Sequence, residues 1–264
     1  MSKKQIEIVY QDDNVVVIHK PSGICVTKDR SGKADIIDLL KNQFGGNEKL
    51  LLVHRLDKPT SGVMILAKNT ETQSRLSGDF ERRFVKKTYL AIIDGFVEEP
   101  SGQIALPLAH SKKNPELMVV SSKRGKEAIT KWKLLADFGG LALLAVQPIT
   151  GRTHQIRVHM KNANLPLAID PLYGSIRPLM LSEFKPNYRL SRDRTEIPLI
   201  ERLTLHAYQI ELNLSKDQPK CFIAKLDKKF AATIKMLTKH NPQGPAAFPN
   251  PDDFTNIINT AKLD

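Results

Sequence analysis

Residues 51–68 read LLVHRLDKPTSGVMILAK. Two apolar runs, 51 to 53 and 63 to 66, read as short buried strands, so the polar segment between them is a tight loop held at both ends. Asp57 is the only carboxylate in that loop, and Arg55 and Lys58 flank it in the chain. Cations that close favour the ionised form, which makes Asp57 available as a nucleophile or a base. A loop aspartate beside Pro59 and Gly62 can equally well cap a turn, so the residue type alone does not decide its use.

The string His54-Arg55-Leu56-Asp57, two further residues, then Thr60-Ser61-Gly62, followed by an apolar run and Ala67-Lys68, resembles the catalytic motif of the RluA-type RNA pseudouridine synthases. The resemblance implies that Asp57 is catalytic. Three more stretches carry the same likeness. Lys20-Pro21-Ser22-Gly23 follows an acidic turn and an apolar strand. Lys87-Thr88-Tyr89 opens another strand, and Gly151-Arg152-Thr153-His154-Gln155-Ile156-Arg157-Val158-His159 follows a third. In this family the tyrosine lies against the target uracil, which gives Tyr89 that role. The second arginine of the last motif stands beside the catalytic aspartate, so Arg157 is expected to pair with Asp57. Residues 165–174, LPLAIDPLYG, match a further family stretch only in part, because Ala168 and Ile169 replace its small residues.

The remaining site residues follow from these motifs. Arg55, beside Asp57, would fill the gap left by a flipped base. Lys58, Thr60, Arg152 and His154 are candidates for phosphate contact. Either Leu203 or Leu205 packs near the base, and Leu205 is taken here. His154 and His159 are five apart with no acidic companion, which does not suit zinc, and the family implies no metal or cofactor. An aspartyl-phosphate enzyme would need a second aspartate where Pro59 stands, and a glycoside hydrolase would need a second carboxyl group that does not stand out.

Composition agrees with an RNA partner. Lysine and arginine outnumber aspartate and glutamate 40 to 28, for a net charge of +12 and a pI near 9.6, which favours a polyanion. The chain of 264 residues, 41% of them hydrophobic, can build a sizeable core. Cys25 and Cys221 form no CxxC pair, and no apolar run reaches a membrane span. A cytoplasmic monomer is expected.

Residues 6–10 and 15–19 form a predicted hairpin, 35–44 a helix, and 70–83 a second helix capped by Thr70 and Gln73. In the densest basic stretch, 110–133, residues 117–120 and 128–135 read as the two strands of one hairpin, with a loop suited to phosphate contact. Residues 141–149 form a strand, and a helix starts near Thr153. Residues 175–202 form a basic insertion carrying Arg177, Lys185, Arg189, Arg192, Arg194 and Arg202. The resemblance implies an α+β fold, a pseudouridine synthase-like single catalytic domain with a long, mainly antiparallel mixed sheet flanked by helices and loops. It would occupy residues 1–240, with 241–264 a Pro/Gly-rich linker and tail. Its family opening begins within the first few residues, which leaves no room upstream for the S4-type domain some relatives carry. The expected activity is isomerisation of specific uridines in ribosomal or transfer RNA by base flipping at an essential aspartate. The alternative is a non-catalytic basic RNA-binding or ribosome-assembly protein on the same fold.

Overall fold

The computed structural model describes residues 5–28, 32–46, 48–189, 195–214, 218–241 and 244–259; Arg192 and Arg194 of the basic insertion lie outside them. In chain order the elements are β1 (Glu7–Gln11), β2 (Val15–Lys20), α1 (Ile36–Gln43), β3 (Leu51–Leu52), β4 (Ser61–Ala67), α2 (Thr70–Glu81), β5 (Lys86–Asp94) and β6 (Ser101–Ala105). There follow β7 (Leu108–His110), β8 (Met118–Val120), β9 (Ile129–Asp137), β10 (Leu141–Pro148), α3 (Gln155–Asn162), β11 (Leu205–Asn213), β12 (Pro219–Ile223), α4 (Lys228–His240) and α5 (Pro251–Asn259). The class is α+β. Two compact units divide the chain, one of residues 1–88 with 206–224, the other of 89–205 with 225–264.

In the first unit β1, β2, β4, β11 and β12 lie side by side, with β3 also on β4; β4 and β11 run parallel and the other pairs antiparallel. Every residue of β4 is buried, and Val15 to Ile18 of β2 are too. A continuous apolar run marks a strand covered on both faces, where alternation is lost. Ile36 and Leu40 of α1 and Leu76 of α2 are fully buried. The α1 helix begins where Asp35 accepts the Asp38 N–H at 2.9 Å. The expected capping box of α2 is corrected: its N-cap is Asn69, which accepts the Thr72 N–H at 2.8 Å. Asn69 holds the extended cap conformation, and its side-chain oxygen takes one of the N–H groups the helix start leaves unpaired.

In the second unit β5, β10, β9 and β6 form an antiparallel run. Its core joins Ala91 and Ile93 of β5, Ala142, Leu144 and Val146 of β10, Ile156 and Met160 of α3, and Leu203 and Leu205. The hairpin expected within 110–133 is not formed. Strand β8 pairs with β7 in a separate two-stranded sheet, while β9 pairs with β10 and β6. The long lysine-rich loop between them let β8 turn back onto a strand upstream. Leu108 of β7 and Met118 of β8 join Ala128, Val158 and Tyr173 in a second small core. The stretch expected as a linker carries a 3-10 turn, Gly244–Ala247, and buries Ala247 and Phe248; the Phe248 ring meets Phe138 edge-on at 6.1 Å. Among the described residues no helix is long and apolar enough to cross a membrane.

Candidate active site

Asp57 lies half-buried in the loop from β3 to β4, with Arg55 and Lys58 exposed on either side. The loop closes as a turn in which the Thr60 N–H donates to the Asp57 carbonyl at 3.0 Å. A second loop, just after β2, grips this turn from behind. The Gly23 N–H donates to the Lys58 carbonyl at 2.8 Å, and the Ser22 hydroxyl to the Pro59 carbonyl at 2.7 Å. The ammonium of Lys20, fully buried, donates to the carbonyls of Pro21 at 2.9 Å, Ile24 at 2.8 Å and Lys58 at 3.2 Å. A buried cation solvated by carbonyl dipoles ties both loops together, since each carbonyl it left would stay unsatisfied. Thr60 is only 2% exposed and stands at the end of this turn, at the entry to β4.

Beyond the turn, Ser61 and Gly62 open β4. The His206 Nε2–H donates to the Ala224 carbonyl at 3.0 Å, which leaves Nδ1 to accept the Ser61 hydroxyl at 2.9 Å. Gly62 has φ +122°, and a Cβ there would stand 2.1 Å from the Ala207 carbonyl oxygen. His54 stacks on Phe80 with ring centroids 4.5 Å apart, and its Nε2 accepts the Ile65 N–H at 3.1 Å. Burial, reinforced by the nearby Lys87 ammonium, pushes His54 down to about 3, and burial pushes Lys87 itself down to about 8. The motif's histidine is therefore a neutral structural acceptor.

In the second unit Tyr89 of β5 faces Val146 of β10 and packs half-buried against the main core. Leu205, expected near the base, is 3% exposed inside that same core alongside Leu203; its described surroundings are core side chains. The helix α3 starts two residues later than expected, behind His154, which has φ +52° and no side-chain cap. That conformation costs a non-glycine residue roughly 1–2 kcal/mol, and neighbours hold it. Tyr173 accepts the Met118 N–H at 2.8 Å and turns its own hydroxyl to His154 Nδ1 at 2.8 Å. Arg152, half-buried, donates from Nε to the Glu127 carbonyl at 3.0 Å.

Arg157 is 2% exposed and forms a bidentate pair with Asp170, itself 1% exposed: Nε to Oδ2 at 2.8 Å and Nη2 to Oδ1 at 2.6 Å. Asp170 also accepts the backbone N–H of Leu172 and of Tyr173, and the guanidinium lies 5.1 Å over the Tyr173 ring. A planar fork held on two oxygens and over an aromatic face has one orientation. Asp170 and Tyr173 were not among the expected site residues, because the stretch holding them departs from the family pattern. No local signal marks Asp170, because its partner stands thirteen residues away. Gln155 and His159 also have anchoring work. Gln155 accepts from the Thr150 hydroxyl at 2.6 Å and donates to the Ile129 carbonyl at 2.9 Å; His159, fully buried, bonds Thr130 and the Leu106 carbonyl at 2.9 Å each.

Residues 14–162 match the model of the RNA pseudouridylate synthase family. Ribosomal large subunit pseudouridine synthase D of Borreliella burgdorferi is 38% identical over 244 residues, covering 89% of this chain and 69% of that protein. An uncharacterized RNA pseudouridine synthase of Zymomonas mobilis is 36% identical over 226 residues, covering 84% and 94%. Among solved structures, human RNA pseudouridylate synthase domain containing 4 superposes with a TM-score of 0.65 at 27% identity, over 88% of this chain and 92% of that one. The family match and the fold thus define a pseudouridine synthase, an isomerase. The chain belongs to the RNA pseudouridylate synthase family, and within it to the RluA type.

Proposed function

We propose that this enzyme converts uridine to pseudouridine in ribosomal RNA, with Asp57 acting at the sugar of a flipped nucleotide. The observation that carries the reading is the bracing of the Asp57 turn by Lys20, Ser22 and Gly23, which fixes one carboxylate at the mouth of a loop. The name of the Borreliella relative, ribosomal large subunit pseudouridine synthase D, supports ribosomal RNA as the substrate. Isomerisation breaks the N1–C1′ bond, turns the uracil in place and joins C5 to C1′. The proton lost from C5 is matched by one gained at N1, so no co-reactant is needed. A base must leave its stack for this, and the half-exposed face of Tyr89 suits a detached uracil because stacking asks for no fixed hydrogen bonds. Arg157 supplies a cation, oriented by Asp170, for the charge of the reacting carboxylate.

The test is to incubate ribosomal and transfer RNA from cells lacking the protein with wild type or Asp57→Asn, then map pseudouridine at each nucleotide. Sites in ribosomal RNA made by wild type and absent with the variant are the expected result. Sites made by both proteins would remove Asp57 from the chemistry, and sites confined to transfer RNA would replace the substrate. In a double-mutant cycle, Asp57→Asn and Arg157→Met should be strongly non-additive in turnover, as residues acting as a unit are.

A further inference from the structure

The end of α2 carries a feature that catalysis at Asp57 does not use. The helix closes through Arg82, Arg83 and Phe84: the Arg82 N–H reaches the Gly78 carbonyl at 2.8 Å, and the Phe84 N–H the Asp79 carbonyl at 2.9 Å. Arg83 takes the left-handed position, φ +66°, that such a closure usually gives to glycine. Phe84 follows at the position that normally folds back onto its own helix, yet it is 65% exposed. A large aromatic ring held out in water by a strained backbone calls for something to cover it.

Around it lies a cleft of about 350 Å³, walled by Phe84, Val85 and Leu212 and edged by Arg75 and Arg82. The Arg82 guanidinium sits 5.3 Å from the Phe84 ring centre. Asp79 takes one hydrogen bond from Arg82 at 2.8 Å and lies 3.7 Å from Arg75. One carboxylate faces two guanidinium groups, so the cleft keeps positive charge. Arg75 is held in place by the carbonyls of Asn213 and Leu214, at 3.0 and 3.3 Å. An exposed aromatic face beside fixed guanidinium groups is the chemistry that takes a nucleobase and its phosphate.

We propose that this cleft is an auxiliary nucleotide subsite, in which a base of the substrate RNA strand, remote from the target uridine, stacks on Phe84 and its phosphate meets Arg75 and Arg82. The inference rests on RNA being the substrate. Its distance from the chemistry follows from the sheet. His206 of β11 is in register with Ser61, next to the Asp57 loop, and Leu212, in the cleft wall, is six residues further along β11. At about 3.4 Å per residue that is about 20 Å. A stacked strand rising about 3.4 Å per nucleotide needs about six nucleotides to cover it. The cleft should therefore contribute to long substrates and be out of reach of short ones.

The experiment measures binding by fluorescence anisotropy for wild type, Phe84→Ala and Phe84→Trp, each in an Asp57→Asn background so that the RNA is not consumed. Two RNAs centred on the same target uridine are compared, one extending about two nucleotides either side and one about eight. Phe84→Ala should weaken the long RNA about 5-fold or more, the loss of one stacked base, and leave the short RNA unchanged. Phe84→Trp should retain the affinity. Equal losses on both RNAs, or none on either, would overturn the subsite. So would displacement of the long RNA's advantage by uridine monophosphate, since the cleft would then serve a free nucleotide. Because Phe84 is mostly in water, unchanged melting of Phe84→Ala will separate binding from folding. The mapping experiment with active enzyme judges the reading of Asp57 separately. Pseudouridine formed by Asp57→Asn sinks that reading whatever Phe84 does, and unchanged binding by Phe84→Ala sinks the subsite alone.

Discussion

His54 opens the signature of the loop that carries Asp57, and its ring is fully engaged in the framework. Its ring is stacked on Phe80, its Nε2 is occupied by a backbone N–H, and burial beside Lys87 holds it near 3 against an ordinary value of 6.5. Between those values an unfolded chain takes up a proton that the folded one refuses, so the stability His54 contributes is complete above pH 6.5 and drains away as pH falls toward 3. Replacing it by glutamine, which keeps an acceptor without the proton, should flatten that part of the curve by about 1–3 kcal/mol between pH 6.5 and 4.5. Denaturant unfolding at a series of pH values reads it directly; parallel curves for the two proteins would show that His54 titrates normally. The partnership of Arg157 with Asp170 belongs to the same scale. Asp57, Tyr89 and Arg157 are proposed because each stands in a contiguous string. Asp170 could not be picked out in this way, since its role comes from a partner thirteen residues away that only the turn after α3 brings round. Lys20 was hidden similarly: Lys-Pro-Ser-Gly reads as an exposed turn, and nothing local says that the ammonium bends inward to three carbonyls.

Strand β4 is the element on which the first unit depends, and Gly62 is its most constrained position. Its positive φ, and the 2.1 Å that would separate an alanine Cβ from the Ala207 carbonyl oxygen, leave room for hydrogen alone. Gly62→Ala must move β11 or the loop carrying Asp57, at a cost of roughly 3 kcal/mol or more from strain and overpacking together. The expected outcome is a lowered melting temperature with turnover lost out of proportion. A variant that melts and turns over like wild type would show that β4 and β11 can separate freely. Elements of this kind were well marked in the chain. The apolar runs of β2, β4, β5 and β10 and the period of α1 are strong because burial on one or both faces enforces them. What could not be read was pairing between neighbours joined by long polar loops. Strands β8 and β9 both show in the residues, but their partners are chosen by the Leu108, Met118 and Tyr173 core, a set scattered over more than sixty positions. The tail differs for a related reason: its proline, glycine and alanine content signals a linker, whereas Ala247, Phe248 and Ile257 are all buried.

At the scale of the whole molecule the governing quantity is charge. A net +12 over 264 residues gives long-range attraction to any polyanion, and the cations are on the surface: Arg55, Lys58, Lys112, Lys113, Lys123, Arg124 and Lys126 are all exposed. If about six such groups neutralise phosphates, the logarithm of RNA affinity should fall with the logarithm of salt at a slope of about −4. Raising salt from about 50 to 200 mM would then weaken binding by roughly two orders of magnitude. The chemical step should not follow, because the Asp57 turn is held by buried short-range hydrogen bonds that salt screens little. Salt is thus expected to raise KM steeply while kcat at saturating RNA holds, and removing Arg82 should lessen the slope by somewhat less than one on long RNA only. Titrations of the Asp57→Asn protein at four or five salt concentrations, beside turnover of wild type at saturating RNA, give both numbers. A slope near zero would mean that shape and stacking, rather than the surface cations, hold the substrate. A kcat that collapsed in step with affinity would mean that surface charge reaches the reacting centre itself.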